Sequence, residues 1–421
     1  MNSSYKEDCV AVVCHEEKIS VAREACKKCP NIRHIISFGQ EEGVLSFHKL
    51  LKDDGKAIPN VQINYWDDTV VIPYSSGTTG LPKGVVLTHG NLLANLAQST
   101  LPEACHIKDA IHGEQEILLG LLPMYHIYGF AVSISRSLYL GCKLLVLKEF
   151  KQHTFVDCVE KFKPTCLPLV PPLIGFLENS SLVKPSTLDS VHTIYCGAAP
   201  LGQSMVDQFF EKFGPKIHVA EGYGMTETSP VITMTPKGRF TVGSCGVLLP
   251  NTEAKLVDPN TEEIVNPFEN EGELRVRGPQ VMKCYLKNEK ATRETIKDGW
   301  LCTGDIAKVD KNENIYVIDR IKELIKVKGL QVAPAELENI LINHPDIEDV
   351  AVIGIPDERS GEVPKAFVVR TKESKNLNEK EVKEFVAKIV APHKQLASVS
   401  FIDEIPKSTS GKILRKDLRK L

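Results

Sequence analysis

A short stretch rich in hydroxyls and glycines separates two apolar runs in the first quarter of the chain. It reads Tyr74-Ser75-Ser76-Gly77-Thr78-Thr79-Gly80-Leu81-Pro82-Lys83-Gly84. The flanking runs, 69–72 and 85–87, are rich in β-branched residues and predict strands. Glycines let backbone N–H groups approach phosphate oxygens, hydroxyls donate further hydrogen bonds, and the lysine adds positive charge. The stretch therefore predicts a polyphosphate-binding loop between two strands.

The loop differs in spacing from a Walker A motif. That motif has a lysine directly after its last glycine and a helix behind it, whereas Lys83 follows Gly80 by three positions and precedes an apolar run. The alternative interpretation is an ordinary hairpin turn, since serine, threonine and glycine are common in turns. So many phosphate-suited groups in one turn favour the phosphate interpretation.

Six further segments stand out downstream of the loop. They read Met124-Tyr125-His126-Ile127-Tyr128, Cys196-Gly197-Ala198-Ala199-Pro200-Leu201, Gly222-Tyr223-Gly224-Met225-Thr226-Glu227, Gly299-Trp300-Leu301-Cys302-Thr303-Gly304-Asp305, Asp319-Arg320-Ile321-Lys322-Glu323 and Pro406-Lys407-Ser408-Thr409-Ser410-Gly411-Lys412. With the loop, they closely resemble the motifs of the acyl-adenylate-forming superfamily, which contains acyl-CoA synthetases, coumarate-CoA ligases, beetle luciferases and peptide-synthetase adenylation domains. The resemblance runs from Asp68 to the C-terminus and is loose before it.

Composition places the chain among ordinary globular proteins. Its 421 residues allow two domains, and the net charge of −3 predicts no nucleic-acid footprint. The 12 cysteines include one C-x-x-C pair, Cys26 and Cys29, without a second pair at metal spacing, so we expect reduced thiols. No secretory start is visible. The weakly charged stretch 117–147 is interrupted by proline, histidine and glycine, and is expected to be strand, loop, helix and strand rather than a bilayer span.

Strand-like runs alternate with helical patterns from residue 69 onward, which predicts α/β architecture. Residues 240–320 are richer in strand patterns, with strands predicted over 253–257, 272–277, 306–309 and 315–318 and a hairpin turn over 310–314. The last hundred residues suit a small α+β domain, with a helix predicted after Pro334. We therefore predict a large α/β adenylate-forming domain with a β-rich subdomain over 1–320 and a C-terminal domain over 321–421. The resemblance implies that the C-terminal domain is mobile and that Lys322 is its hinge.

Members of the superfamily usually begin about a hundred residues earlier, a length comparable to a small domain. The chain is therefore expected to start inside the large domain, as a splice form, a fragment or a divergent protein. Missing strands would leave open sheet edges and uncovered apolar faces, so we expect lower stability and more aggregation than in a full-length relative.

The resemblance implies a two-step reaction that uses ATP, Mg²⁺ and coenzyme A. A carboxylate attacks the α-phosphate of ATP, pyrophosphate leaves and an acyl-AMP forms; a thiol then displaces AMP. By resemblance, Glu227 binds Mg²⁺, as a hard oxygen ligand can, and Thr226 contacts the α-phosphate. The β- and γ-phosphates are implied to contact Ser75, Ser76, Gly77, Thr78, Thr79 and Lys83.

The resemblance also implies the remaining nucleotide contacts. Asp305 would accept hydrogen bonds from the ribose hydroxyls, and Arg320 would bind the ribose or a phosphate; read alone, they are a turn aspartate and a surface ion-pair residue. Relatives often carry glutamine or another polar residue where this chain has Glu221. The nucleotide wall is implied to contain Gly197, Ala198, Glu221, Gly222 and Tyr223. A Rossmann fingerprint is excluded, because Glu227 stands where its third glycine belongs.

A histidine in an apolar run is the candidate gate of an acyl pocket. Such a histidine alone is more often structural. The matching context implies that His126 lies near the reacting carboxyl group and that Tyr128 lines the pocket. Small and apolar residues would complete a narrow slot: Gly197, Ala198, Gly224, Pro230 and Val231. The slot suits a flat aryl-propenoic acid or a linear fatty acid, and the sequence does not choose between them.

A lysine in the tail is normally a solvated charge. The Pro-Lys-x-x-x-Gly-Lys pattern that ends at Lys412 implies that this lysine reaches the α-phosphate during adenylation and leaves when the small domain rotates. A second set would then approach the site for thiol transfer: Lys326, Lys328, Gly329 and Gln331. Gly329 would allow close passage of pantetheine.

Four functions share these motifs. An acid–thiol ligase of the coumarate or fatty-acyl type is favoured, with a carboxylic acid, ATP and coenzyme A as partners. A luciferase-like oxygenase and a truncated non-catalytic isoform are alternatives. A peptide-synthetase adenylation domain needs an aspartate near His126, which 125–129 lacks. The C-terminal Arg419-Lys420-Leu421 differs from the peroxisomal Ser-Lys-Leu address at its first position, so a cytoplasmic or peroxisomal location is expected.

Overall fold

The computed structural model describes residues 9–75, 82–108, 110–111, 113–199, 201–328, 330–372, 374, 376–408 and 411–421. The chain divides into two compact units, residues 1–64 and 65–421. Within the described ranges, no helix combines the length and the apolar character needed to cross a membrane.

The first unit is a three-stranded parallel sheet with short helices. Its elements are β1 Ala11–Cys14, a 3-10 helix Glu16–Lys18, α1 Ile19–Lys28, β2 His34–Ser37, β3 Leu45–Ser46 and α2 Phe47–Leu50. The strands lie in the order β1-β2-β3. Three apolar residues at a spacing of three form the buried side of α1: Ile19, Ala22 and Ala25.

The second unit begins with the strands of the hydroxyl-rich loop and continues into a parallel sheet. Through residue 196 its elements are β4 Thr69–Val71, β5 Tyr74–Ser75, β6 Lys83–Thr88, α3 His89–Ser99, β7 Ile117–Gly120, a π-helix Tyr128–Ser135 that continues as α4 Arg136–Leu140, β8 Lys143–Val146, α5 Gln152–Phe162, β9 Cys166–Leu169, α6 Pro171–Asn179, a 3-10 helix Pro185–Leu188 and β10 Thr193–Cys196. The predicted strand, loop, helix and strand over 117–147 are thus present, with a π-helical first half of the helix.

The middle of the unit is mostly strand. Its elements are α7 Gln203–Phe213, β11 His218–Gly224, a 3-10 helix Thr226–Thr228, β12 Val231–Met234, β13 Val247–Leu248, β14 Glu253–Val257, β15 Ile264–Val265, β16 Gly272–Arg277, β17 Cys284–Tyr285, α8 Glu289–Thr295, β18 Ile296–Lys297, β19 Trp300–Val309 and β20 Ile315–Arg320. The last hundred residues contain β21 Ile325–Val327, β22 Leu330–Val332, α9 Pro334–Leu341, β23 Ile347–Asp357, β24 Gly361–Arg370, α10 Glu379–Ala387, a 3-10 helix Pro392–Lys394, β25 Ser398–Phe401 and α11 Arg415–Leu418.

A seven-stranded sheet in the order β13-β12-β11-β10-β9-β7-β8 forms the centre of the unit. The strands from β11 to β8 are parallel, and β12 and β13 are antiparallel to their neighbours. Helices α5, α6 and α7 cover one face, where Phe155, Leu177 and Phe209 are almost completely buried. Because parallel strands end at one edge of a sheet, the residues that follow β7, β9, β10 and β11 share that edge.

The second unit contains two further sheets, built from the hydroxyl-rich hairpin region and from the strand-rich middle of the unit. One has the order β15-β14-β16-β19-β18, with β20 on β19, and the other has the order β17-β6-β4, with β5 on β6. Strand β19 is longer than the predicted strand over 306–309, so Asp305 lies inside a strand and opposite Arg320 of β20. The predicted hairpin turn over 310–314 joins these two strands.

The C-terminal hundred residues form a five-stranded sheet of their own. Its order is β22-β21-β24-β23, with β25 parallel to β24. Helices α9 and α10 contribute Leu337 and Val382 to a core that also contains Val352 and Val368 from the sheet. Helix α9 begins at Pro334, as predicted, because proline suits the first turn of a helix.

Candidate functional site

The predicted phosphate loop is a β-hairpin. Strands β5 and β6 pair with Ser75 opposite Lys83, and residues 76–81 between them lie outside the described residues. Ser76, Gly77, Thr78 and Thr79 therefore stay predictions. The Ser75 hydroxyl is buried and has no hydrogen-bond partner among the described residues, so it is available to a ligand oxygen.

A tyrosine connects the hairpin to the predicted metal ligand. The ammonium group of Lys83 lies 4.5 Å from the centre of the Tyr285 ring. The Tyr285 hydroxyl donates a hydrogen bond of 2.7 Å to Oε1 of Glu227. Tyr285 is carried by β17, which pairs with β6, the strand that begins with Lys83. Burial and the nearby carboxylate raise the pKa of Tyr285, so the phenol stays a neutral donor.

Glu227 fits the role of a divalent-cation ligand. It is buried in the 3-10 helix Thr226–Thr228, and its backbone carbonyl accepts a hydrogen bond of 2.8 Å from the Met282 N–H. Only Oε1 is used by the Tyr285 hydrogen bond, which leaves Oε2 as a hard oxygen ligand of the kind Mg²⁺ prefers. Thr226 is half-buried beside it.

Asp305 is a buried carboxylate with two neighbours. Its Oδ2 accepts a hydrogen bond of 2.6 Å from the Tyr223 hydroxyl, and its Oδ1 lies 3.5 Å from Nε of Arg320. Burial raises the pKa of Asp305, while Arg320 and the Tyr223 hydrogen bond oppose the rise. The Thr303 hydroxyl accepts a hydrogen bond from the Asp305 N–H at 3.1 Å, which holds the strand at this point.

Lys412 faces this group of charges. Burial is the largest influence on its pKa and, with repulsion from Arg320, lowers it to about 8, although Asp305, Glu323 and Glu227 attract the ammonium group. A Cβ placed on the preceding Gly411 would lie 3.3 Å from Cγ of Pro172, at the start of α6. The Lys412 loop therefore approaches the edge of the central sheet at which β9 ends.

The Lys412 loop is attached to the C-terminal sheet on both sides. Lys407 forms an ion pair of 2.6 Å with Asp349. Arg415 forms an ion pair with Glu338 of α9 and donates a hydrogen bond of 2.7 Å to the carbonyl of Val352. Buried or half-buried ion pairs with several hydrogen bonds hold their geometry tightly, so the loop belongs structurally to the C-terminal sheet.

His126 is neutral, and its protonated nitrogen can be assigned. The Tyr128 N–H donates a hydrogen bond of 3.2 Å to Nδ1 of His126. A nitrogen that accepts cannot carry a proton, so the proton is on Nε2. Burial, and secondarily the charge of Lys412, lowers the pKa of His126. The side chain can therefore donate from Nε2 to a carboxylate oxygen.

Glycines and a tyrosine shape the predicted acyl slot. A Cβ on Gly197 would lie 3.5 Å from Cε1 of Tyr128, and one on Gly224 would lie 1.9 Å from the carbonyl oxygen of Pro230. No side chain fits at Gly224, because the backbone of the slot wall passes too close. The Ser229–Pro230 peptide is cis, and Val231 is buried at the start of β12.

The wall predicted for the nucleotide lies at the ends of β10 and β11. Ala198 has a φ of 73°, a conformation that is uncommon for a residue with a side chain. Gly222 and Tyr223 directly precede Gly224, the last residue of β11. Glu221, on the same strand, accepts a hydrogen bond of 3.1 Å from the Leu201 N–H through Oε2.

Glu221 has an unusual environment. Its Oε1 is buried and has no hydrogen-bond partner in the described part of the chain. Burial raises the pKa of Glu221 to about 8, so the group is mostly protonated at neutral pH. A protonated carboxyl presents one donor and one acceptor, as the amide of a glutamine does.

The residues predicted for thiol transfer are placed differently. Lys326, Lys328 and Gln331 are exposed on the β21–β22 hairpin, and Lys322, the predicted hinge, is exposed on the turn after β20. Gly329 lies outside the described residues. The structure therefore brings Lys412 to Asp305 and Glu227 and leaves the thiol-transfer set at the surface, so these roles stay predictions.

Two residues near the site were not predicted. Tyr285 belongs to no motif, and its position follows only from the pairing of β17 with β6. Arg136 is fully buried at the first position of α4, directly after the π-helix that starts at Tyr128. The only sequence indication of Arg136 was its position inside an apolar helical pattern.

Profiles of known families match most of the chain. The AMP-binding enzyme family matches residues 5–286, and the AMP-binding enzyme C-terminal domain matches residues 336–412. The chain belongs to the AMP-binding enzyme family. The predicted family, the fold class and the assignment as an acid–thiol ligase are confirmed; the domain limits 1–320 and 321–421, and the mobility of the second domain, stay predictions.

The relatives of this chain include 4-coumarate–CoA ligases of two plants. The chain is 45% identical over 384 residues to 4-coumarate–CoA ligase 2 of Nicotiana tabacum, covering 90% of this chain and 70% of the relative. It is 45% identical over 387 residues to 4-coumarate–CoA ligase 1 of Arabidopsis thaliana, covering 90% of this chain and 68% of the relative.

Solved structures of similar fold include two ligand complexes. ATP-bound MatB from Rhodopseudomonas palustris is 28% identical, with a TM-score of 0.87 over 98% of this chain and 78% of that one. The anthranilate CoA ligase AuaEII in complex with anthranoyl-AMP is 25% identical, with a TM-score of 0.86 over the same shares.

Proposed function

We propose that this AMP-binding enzyme adenylates an aryl-propenoic or fatty acid with ATP and transfers the acyl group to coenzyme A. The observation that carries the proposal is the electrostatic proximity of the half-buried Lys412 to the buried carboxylates of Asp305 and Glu227. Phosphoryl chemistry depends mainly on positioning and electrostatic stabilisation, and this group offers both. The 4-coumarate–CoA ligases among the relatives make 4-coumarate the first acid to test.

In the first step, a carboxylate oxygen of the acid attacks the α-phosphorus of ATP, and the bond to pyrophosphate breaks. Lys412 stabilises the charge that develops on the α-phosphate, and His126 orients the acid by donating from Nε2. Asp305 accepts hydrogen bonds from the ribose hydroxyls. The acyl-AMP is a mixed anhydride, so the closed site must exclude water until the thiol arrives.

Ser75 and Lys83 bind the terminal phosphates in this scheme. Mg²⁺ would be held by Glu227, and when bound it neutralises charge on the phosphate oxygens. Tyr285 positions Glu227 and Lys83 relative to each other through its hydroxyl and its ring.

In the second step, the sulfur of coenzyme A attacks the acyl carbon, and AMP leaves with the bonding electron pair. Lys412 withdraws with the C-terminal domain, and Lys326, Lys328, Gly329 and Gln331 approach the vacated side. Domain rotations of this kind gate many two-step enzymes.

A screen of pyrophosphate release over aromatic acids and C6–C18 fatty acids, with and without coenzyme A, tests the proposal. We expect acid-dependent pyrophosphate release and a thioester that forms only with coenzyme A. Light emission with a luciferin and oxygen, without any thioester, would identify a luciferase-like oxygenase. Absence of both activities in a folded, ATP-binding protein would favour the non-catalytic isoform.

The location, cytoplasmic or peroxisomal, is proposed from the C-terminal tripeptide. A fluorescent protein fused ahead of the last residues, with and without Leu421, tests it. A peroxisomal address needs a free terminal leucine, so its removal should move a peroxisomal fusion to the cytosol.

A further inference from the structure

Arg136 is a fully buried arginine without a counter-charge in contact among the described residues. Its relative exposure is 1%, and neither Nε nor Nη1 has a hydrogen-bond partner within the described residues. The guanidinium instead lies over the ring of Tyr195, with 5.0 Å between Cζ and the ring centre. The hydroxyls of Ser133 and Ser137, its neighbours on the helix, are also buried and unpartnered in the described part of the chain.

Other buried arginines of this chain are paired. Arg275 lies 2.7 Å from Glu273 and 2.6 Å from Glu262, and Arg415 forms ion pairs with Glu338 and Glu323. Removing a guanidinium from water without a partner is strongly destabilising, as is breaking a buried ion pair. Arg136 therefore stands apart as a buried positive charge whose compensation must come from outside the described chain.

The same helix carries Arg136 and the predicted wall of the acyl slot. Tyr128, Val132 and Arg136 follow one another at steps of four, so they lie on one side of the helix. Long side chains on a helix lean toward its N-terminus, which directs the Arg136 side chain toward Val132 and Tyr128.

One apolar cluster surrounds this side of the helix. It contains Val132, Tyr195 and Val231, with Tyr128 packed against it. The Tyr128 hydroxyl donates a hydrogen bond of 2.9 Å to the carbonyl of Tyr195, the residue whose ring lies under the guanidinium. Two residues predicted for the slot, Tyr128 and Val231, thus share a cluster with the partner ring of Arg136.

We propose that Arg136 forms the far end of the acyl slot and selects acids that carry a second oxygen anion opposite the reacting carboxylate. The inference rests on the proposed ligase function and specifies its substrate class. Guanidinium and carboxylate form short, charge-assisted hydrogen bonds. A bound dicarboxylate would then supply partners for the unpartnered guanidinium nitrogens.

The spacing limits the length of such an acid. At the α-helical rise, eight residues would span about 12 Å, and the π-helical turns of Tyr128–Ser135 shorten that distance. The distance from Tyr128 to Arg136 therefore suits an acid of phenylpropenoic size better than a long fatty chain.

Three acids of one shape test the proposal: cinnamate, 4-coumarate and 4-carboxycinnamate. We expect kcat/KM for pyrophosphate release to be highest for 4-carboxycinnamate, intermediate for 4-coumarate and lowest for cinnamate. Equal or better use of cinnamate would overturn the inference while leaving the ligase function intact. Activation of none of the three, nor of any fatty acid, would instead count against the ligase function.

Arg136→Met keeps an unbranched side chain, shorter than that of arginine, and removes its charge. It should lower kcat/KM for 4-carboxycinnamate about 100-fold, the size typical of truncating one partner of a buried charge pair, and change that for cinnamate less than about threefold. Because it removes an unpaired buried charge, the variant without substrate should melt no lower than the parent.

Arg275→Met is the matched control. It breaks a buried, paired arginine, so it should lower the melting temperature and leave the ratio of the two kcat/KM values unchanged. If Arg136→Met behaved like Arg275→Met, with a lower melting temperature and an unchanged ratio, Arg136 would have a structural role only and the inference would be wrong.

Discussion

The hydroxyl of Tyr285 lies 2.7 Å from Oε1 of Glu227 and donates a hydrogen bond to it. The same ring lies under the ammonium group of Lys83. One side chain outside every recognised motif therefore connects the residue proposed for Mg²⁺ with the residue proposed for the terminal phosphates. Partners of this kind orient a metal ligand and tune its basicity.

Tyr285→Phe should weaken the response to Mg²⁺. The substitution keeps the ring under Lys83 and removes the hydrogen bond that orients Glu227. We expect the Mg²⁺ concentration for half-maximal pyrophosphate release to rise about 10-fold. Tyr316→Phe, which removes a hydroxyl bonded to Asp310 in the 310–314 turn, is the control and should change nothing. An unaltered Mg²⁺ response in Tyr285→Phe would exclude a positioning role.

Asp305→Ala should weaken ATP binding. The carboxylate is proposed to accept hydrogen bonds from the ribose hydroxyls, and their loss is worth about 1–3 kcal/mol. Isothermal calorimetry of the folded variant gives the change in Kd directly. Asp310→Ala, at the 310–314 turn, is the matched control. The ribose assignment fails if Asp305→Ala binds ATP as tightly as the parent protein.

Lys412→Ala should separate the two half-reactions. Loss of the positive charge at the α-phosphate should reduce acyl-AMP formation by roughly 10²–10³. With pre-made acyl-AMP and coenzyme A, thioester should form at nearly the normal rate, as followed by thioester absorbance. Gly329→Trp is predicted to have the opposite profile. Exposed Lys416 provides the control, Lys416→Ala. Equal slowing of both halves by Lys412→Ala would contradict the alternating mechanism.

The adenylation rate should fall in mildly alkaline solution. Burial lowers the pKa of Lys412 to about 8, so the free protein loses the ammonium charge as the pH rises through that value. Because kcat/KM reports the ionisations of the free enzyme, its pH profile for pyrophosphate release should decline above pH 8. Lys412→Arg keeps the charge and should lose this decline, even if its maximal rate is lower. A profile of the same shape in both proteins would assign the decline to another group.

Glu221→Gln should make the protein more stable in alkaline solution. Burial raises the pKa of Glu221 from 4.5 to about 8, so the folded chain retains a proton that the unfolded chain releases. The stabilisation from the protonated group is full below pH 4.5 and is lost as the pH rises through 8. The variant should melt like the parent at pH 5 and about 2–6 °C higher at pH 8.5.

Glu348→Gln, at an exposed position of β23, is the control and should show no such pH-dependent difference. A melting difference for Glu221→Gln that is the same at pH 5 and pH 8.5 would show that Glu221 does not titrate in this range.

Local patterns predicted much of the fold. The strands predicted over 253–257 and 272–277 coincide with β14 and β16, because apolar residues at alternate positions of both strands pack into one core cluster. The strand predicted over 306–309 was too short, since Cys302, Thr303, Gly304 and Asp305 before it are stabilised by cross-strand partners rather than by their own propensity.

The site residues that belong to a known motif could be predicted from the sequence. Glu227, Asp305 and Lys412 come from motifs far apart in the sequence, and the structure brings them together. Tyr285 and Arg136 were not predicted. Tyr285 reaches Glu227 through the pairing of β17 with β6, and Arg136 stands out because its guanidinium has no hydrogen-bond partner at Nε or Nη1 within the described residues. Neither property can be read from neighbouring residues in the sequence. The contacts of residues 76–79 and 329 stay predictions from the sequence.

The attachment of the Lys412 loop by Lys407 and Arg415 bears on the proposed withdrawal of Lys412 between the two half-reactions. A lysine on a free tail could leave the nucleotide by swinging alone within nanoseconds. Here the loop is attached to α9 and the C-terminal sheet, so we predict that Lys412 leaves only together with that whole body. The interval between the two half-reactions should therefore lengthen with solvent viscosity, as the friction on a rotating body does.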